Sequence, residues 1–367
     1  MDNLIKEFLM KIKKMIMLVV FLVSIYSLTF GQSNTQTIEN SYFVRANGND
    51  QNNGLTENTA FKTLKKAISA VKQNNTIKTI TIVGTLDPIS EGYTDPRTST
   101  EILTRNIPAN GVFTISDDVE VKIMGKDHTS SLSGSNKRNV VVLAVGFRAK
   151  VSLENINIGN GGCGLALYGG NVHIGDRVRI ENNSNITGEP LIYSQSVQNF
   201  LENSGGGIIV TNKGNLIIDG KWWVIGNNKA FLGAGLYMIN GSVLITADGN
   251  DSGGTFSQNH AIYGGAVYID RSGTFTMRGG RMRENIADEC GGGVFVRGDG
   301  RFIKESGISI FFNSVSTIQI HGKNDRMGTQ RAKEGYAVYV SRGEITFKRD
   351  TNILIGDYFD SETGPWE

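Results

Sequence analysis

Between Gly205 and Asn313 the apolar and polar positions recur with one period. Each copy opens with small residues that run into an aliphatic stretch: Gly205-Gly206-Gly207-Ile208, Gly233-Ala234-Gly235-Leu236, Gly264-Gly265-Ala266-Val267 and Gly291-Gly292-Gly293-Val294. Each closes with an apolar residue, two others and an asparagine: Ile225 with Asn228, Phe256 with Asn259, Met282 with Asn285, Ile310 with Asn313. These asparagines lie 31, 26 and 28 residues apart. A period of that size marks a solenoid, in which each unit buries its apolar face against its neighbours.

Within one copy, Gly264 to Asn285, apolar residues alternate in short runs broken by glycine or by Asp270-Arg271-Ser272-Gly273. Alternation at period two predicts strands. Val267 and Ile269, then Phe275 and Met277, then Met282 supply the inward side chains, giving three short strands per coil. The same pattern extends upstream through Val119, Val121 and Ile123, Val140 to Val145, and Val151, Leu153, Ile156 and Ile158. Cys163-Gly164-Leu165-Ala166-Leu167 is an early relative of the glycine-aliphatic element, and Asn183 after Ile180 an early asparagine. Helical repeats need amphipathic helices of ten residues or more, for which a chain with 46 glycines has little room. Stacked coils bring equivalent positions to about 4.8 Å, so Asn183, Asn228, Asn259, Asn285 and Asn313 are predicted to form a structural amide ladder rather than a ligand site.

The repeat resembles that of the polymorphic outer membrane protein (Pmp) family, where Phe-x-x-Asn precedes Gly-Gly-Ala-Val. Phe256 to Val267 carries the pattern most fully; the other copies replace Phe by Ile or Met and vary the glycine element. The resemblance implies a surface-displayed right-handed β-helix used in adhesion. Members of that family end in a translocating membrane barrel, for which the residues after Asn313 are too few.

Residues 41–86 differ in texture. Phe61, Leu64, Ala67, Ile68 and Val71 recur at helical spacing between strands predicted at Tyr42–Arg45 and Thr79–Val83. A Gly48-Asn49-Asp50 turn followed by Thr63-Leu64-x-x-Ala67-Ile68 is similar to the opening of pectate-lyase-like β-helix proteins, although Leu55 stands where glycine or threonine is usual there. Such a module would cover the unpaired strand edges at the end of a solenoid. The expected fold is therefore all-β, a right-handed parallel β-helix of three faces with one N-terminal amphipathic capping helix.

The organisation follows in order. Residues 1–31 read as a signal peptide: Lys11, Lys13 and Lys14 precede the apolar run Met17 to Phe30, Thr29 and Gly31 suit a signal peptidase, and Met10 is an alternative start. That run is shorter than a membrane span needs, so the mature chain carries none. A short linker (32–40) leads to the capping module (41–86) and then to the β-helix (87–356), ending in a tail (357–367). Loops are expected near 87–112, which holds three of the five prolines, and near 184–204 and 314–335. In the central coils the asparagine precedes the next aliphatic strand by eight or nine residues, whereas Asn183 to Ile208 and Asn313 to Val338 each span 25. Both lengthened connections should leave the solenoid along one edge.

Charge narrows the partners. Lys6, Lys11, Lys13 and Lys14 against Asp2 and Glu7 account for the net charge of +2, leaving the mature chain neutral and without a case for nucleic acid. The adjacent Trp222 and Trp223, with Tyr237 or Tyr263, suggest a surface that stacks on a glycan or anchors a host or cell-surface protein. Cys163 and Cys290 lie about four coils apart, near 19 Å, too far for a disulfide; both are expected free. No cofactor is expected. Asp50-Gln51-Asn52-Asn53-Gly54 and Asp248 to Gly254 would suit a structural calcium, and a tight Asx turn explains each equally.

Taken together these features predict an exported monomer at the outer-membrane surface or outside the cell, with the periplasm as alternative. It would act as an adhesin-like binding or structural module. The competing expectation is a polysaccharide lyase or glycoside hydrolase, which needs a cation with a basic residue, or paired carboxylates. Asp248 with Asp251, Asp288 with Glu289, and Arg281 with Arg283 are the nearest candidates. They do not converge on one face, the Asn-Thr-Asp and Gly-His-Gly motifs of polygalacturonases are absent, and His128, His173, His260 and His321 have no ligand spacing.

Overall fold

Inward aliphatic residues stack coil upon coil into continuous columns, and these columns are the core. Leu143, Leu165, Ile208, Leu236, Val267 and Val294 run down one face in direct register. Leu153, Ile174, Ile218, Ile245 and Met277 run down a second, and Leu132, Ile158, Ile180, Ile225, Phe256 and Met282 down a third. All are fully buried, and every pairing between coils is parallel. In this computed structural model residues 40–74, 76–94, 111–115, 118–185, 204–246, 253–305, 309–311, 313–315, 336–341, 344–347 and 358–361 are described. The fold is all-β, a parallel β-helix solenoid. Among the described residues no helix is long and apolar enough to cross a membrane.

A fourth, short face adds to the three strands per coil that alternation predicts. His260–Tyr263, Ile286–Cys290 and Ser314–Val315 form their own parallel ladder, extended upstream by single bridges from Ser184 to Lys229 and Lys229 to His260. These segments are only a few residues long after the asparagine, too short to show a period in the sequence.

The corner before this face is built from two residues. Asn182, Asn227, Gln258 and Glu284 hold left-handed φ between 52° and 60°, and each is followed by a ladder asparagine that points inward. Asn183, Asn228, Asn259 and Asn285 each donate from Nδ2 to the Oδ1 of the next, at 3.0, 3.0, 2.9 and 2.8 Å. The same oxygens accept the backbone N–H of the preceding asparagine. From Asn228 onward, each Nδ2 also donates to a carbonyl of the coil before, ending with Asn313 on Met282. Buried amides are thus saturated at a sharp bend whose backbone could not saturate itself.

The N-terminal end is closed by strand β1 (Ser41–Val44), helix α1 (Leu64–Gln73) and strand β2 (Thr79–Ile82). β1 pairs with β2, and β2 with Glu120–Gly125. The other edge of β1 is occupied: Phe43 N–H bonds Gly54 O, Phe61 N–H bonds Phe43 O, and Arg45 N–H bonds Phe61 O. No free edge is left there to recruit another strand. α1 buries Leu64, Ala67, Ile68 and Val71. Phe61, expected on the helix, precedes it and packs on Tyr42 with ring centroids 5.6 Å apart. The helix starts later because Thr63 is its N-cap and Asp50 accepts the N–H groups of Lys62 and Thr63 at 2.8 and 2.9 Å.

Glu91 completes the cap by accepting the Leu64 and Lys65 N–H groups at 2.8 Å each. Burial raises its pKa from 4.5 to about 7, against the pull of those two N–H groups, and the charge of Asp50 adds to the rise. An acid whose folded pKa lies above its unfolded one binds its proton more tightly when folded. Its contribution therefore favours folding below pH 4.5 and is lost as pH climbs to about 7. That loss is on the order of 3 kcal/mol. Glu91→Gln should flatten the fall in urea midpoint across this window; parallel pH profiles for parent and variant would show that burial does not govern this carboxyl.

Candidate functional site

Glycine pairs make the fourth face fold back along the outside of the first. Gly205, Gly233, Gly264 and Gly291 hold φ of 67°, 56°, 68° and 70°, and at Gly264 a Cβ would run into the Val267 carbonyl. Outward residues of the first face are consequently covered. Tyr237, Tyr268, Phe295 and Tyr339 form a column with successive ring centroids 5.6, 4.9 and 5.1 Å apart. Phe231, Leu232, Ile262 and the half-buried Tyr263 and Cys290 pack against it. This is a second apolar core outside the solenoid. Burial pushes the Tyr237 hydroxyl well above the usual phenol range and Tyr268 to about 12.

The anticipated cluster of Trp222, Trp223, Tyr237 and Tyr263 therefore does not exist as an exposed surface. Tyr237 is 3% exposed and lies with Tyr263 in the second core. Trp223 is 1% exposed and edge-on to Phe256 in the main core, with centroids 5.4 Å apart. The two tryptophans precede the strand Val224–Gly226 rather than lying on it. Trp222 takes a left-handed φ of 56°, which sends the two indoles opposite ways.

Trp222 alone is exposed, at 51%, on the corner between the second and third faces. The Arg177 guanidinium carbon sits 5.1 Å from its ring centroid. Two successive turns interlock there: Arg177 N–H donates to Lys221 O at 2.8 Å, and Lys221 N–H to Asp176 Oδ1 at 2.7 Å. Arg177 too has a left-handed φ, 54°. For a bulky aromatic this conformation costs about 1–2 kcal/mol, which the surrounding turn must hold in place.

Beside this corner, on the outer side of the second face, Ser152, His173 and Asp219 form a row across three coils. Ser152 Oγ lies 3.1 Å from His173 Nδ1, and His173 Nε2 lies 2.6 Å from Asp219 Oδ1. The sequence of groups, serine to histidine to aspartate, is that of a nucleophilic triad, but the two ring nitrogens are exchanged: serine meets Nδ1 and aspartate Nε2. Strand Lys150–Glu154, which carries Ser152, is paired in parallel on both sides, so its N–H groups are committed to the ladder. No pair of donors remains there to stabilise an oxyanion. Ser152, His173 and Asp219 form a fixed row of polar groups. Each comes from a different coil, and only the register brings them together.

Other candidates stay apart. His260 Nε2 and Asp288 Oδ1 are 2.7 Å apart on the fourth face, and burial, with the charge of Asp288, raises the pKa of neighbouring Glu289. Cys163 and Cys290 are not joined in a disulfide; burial pushes the Cys163 thiol up to about 12. Asp50 gives its oxygens to the helix cap, and Asn53 Oδ1 accepts the Leu55 N–H. Among the described residues no group of three or more His, Cys, Asp or Glu could hold a metal ion. Asp248, Asn250, Asp251 and His321 lie outside the described residues.

Both lengthened connections begin on the fourth face. Ser184 and Ser204 bridge Lys229 and Leu232 of the next coil, and Asn185 Nδ2 donates to Ser204 O at 3.0 Å, closing the neck of the first. The second starts from Ser314–Val315 and returns to the first face at Tyr336. Residues 186–203 and 316–335 lie outside the described residues. No protein-family model, curated protein or solved structure matches this chain.

Proposed function

We propose that this chain is an exported β-helix that acts as an adhesin-like binding or structural module, displayed at the outer surface or released, and not as a catalyst. The observation that carries this is the shared origin of its two long connections. Both leave from one short face, while the first-face strands on either side of each connection stay paired in register, Leu165 with Ile208 and Val294 with Val338. A rigid scaffold that lengthens its loops along a single edge concentrates variable surface where a partner can span several coils. The likeness of Phe256 to Val267 to the Pmp repeat points the same way.

Two measurements test it. Protease added to intact producing cells should digest the protein while a periplasmic marker survives; protection of both would remove surface display. Replacing residues 186–203 by a two-residue turn, with Asn185 and Ser204 kept, should abolish attachment of purified protein to cells or glycan arrays. Shortening the loop lowers its closure cost by about 2 kcal/mol, in favour of the folded state, so the urea midpoint should not fall. Unchanged attachment would place recognition elsewhere.

A further inference from the structure

We propose that the corner carrying Trp222 is a binding subsite for a carboxylated sugar. It lies on a different corner from the two long connections, so it stands or falls independently of them. Trp222 is the exposed aromatic whose backbone is left-handed, with φ 56°. A glycine would take that conformation freely, so the indole is held outward against its own backbone preference. Its neighbour Trp223 already fills the core, so packing does not account for a second indole.

The surroundings define the ligand. Arg177 stacks on the indole at 5.1 Å, and neither Arg177 nor Lys221 makes an ion pair among the described residues. Elsewhere on the second face the lysines are matched, Lys122 with Glu154 and Lys150 with Glu120. An unmatched guanidinium over an exposed ring, with Lys221 the residue before that ring in the chain, complements a ligand with a flat apolar face and one carboxylate. A pyranose offers its C–H face to the indole and its carboxylate to the guanidinium. Hydroxyls reach toward the His173–Asp219 pair beside this corner, Asp219 lying three residues before Trp222 in the chain. A nucleic-acid strand would need a row of cations along the backbone, and here Asp176 and Asp219 interrupt any such row.

The test uses the full chain with sialyllactose and a hyaluronan tetrasaccharide as acidic probes and lactose as the neutral control, followed by tryptophan fluorescence and calorimetry. At least one acidic probe should bind about tenfold more tightly than lactose and perturb the emission. Trp222→Gly, which suits the local backbone, should lose that binding with an unchanged circular dichroism spectrum. Arg177→Gln should weaken it about tenfold. Failure of both acidic probes to bind, equal binding of lactose, retention of binding in Trp222→Gly, or tighter binding of a single-stranded oligonucleotide would each overturn the proposal.

Discussion

Asn259→Ala should destabilise the solenoid by about 4 kcal/mol or more, the largest effect expected of a single truncation in this chain. The side chain sits in mid-ladder, fully buried, and serves four partners. Its Oδ1 accepts Asn228 N–H at 3.2 Å and Asn228 Nδ2 at 3.0 Å; its Nδ2 donates to Ile225 O and Asn285 Oδ1 at 2.9 Å each. Alanine leaves these groups buried without Asn259, each at a cost of roughly 1–3 kcal/mol, softened where a second partner remains. Against a typical stability of about 5–15 kcal/mol this is a large share. Because a coil touches only its neighbours, damage should spread locally: hydrogen exchange should quicken first in the coils around residues 224–291. A change below about 1 kcal/mol in urea unfolding would mean that the ladder amides contribute no more than surface hydrogen bonds.

What could be read in the sequence was whatever recurs at the same place in every coil. Leu236, Val267 and Val294 must be apolar because they share one column, and Asn228, Asn259 and Asn285 must be amides because each completes its neighbour. Features that depend on a second layer were not legible. Alternation tells that Tyr237 points away from Leu236, but not that Phe231 and Ile262 of another face will cover it. The Ser152, His173 and Asp219 row needs the register of three coils of unequal length. Glu91 reaches the helix cap from a distant loop, without a local signal. Lys304 is the sharpest exception to the pattern: it continues the column of Ile245 and Met277, yet is 1% exposed. Its position in Arg301-Phe302-Ile303-Lys304 is inward by alternation, and its long aliphatic stem extends the apolar column of Ile245 and Met277.

Trp223→Ala should cost about 3–5 kcal/mol, whereas the same change one residue earlier should cost almost nothing. Trp223 packs edge-on against Phe256, which leads on to Phe275 and Phe302 with centroids 6.3 and 5.8 Å apart. Turns of the following coils come close enough that a Cβ at Gly254 would collide with the indole, and one at Gly280 would lie 2.8 Å from it. Truncation therefore opens a cavity walled partly by turn backbone that has no side chain with which to refill it. Trp223→Phe should be milder, near 1 kcal/mol, because the indole Nε1 has no hydrogen-bond partner among the described residues and phenylalanine removes that unmet donor along with part of the ring. Trp222→Gly should gain up to about 1 kcal/mol by releasing a strained φ, less the loss of unfolded-state restriction. Urea unfolding of the three variants decides the matter: a small effect for Trp223→Ala, or a large one for Trp222→Gly, would mean that the two indoles do not divide between core and solvent.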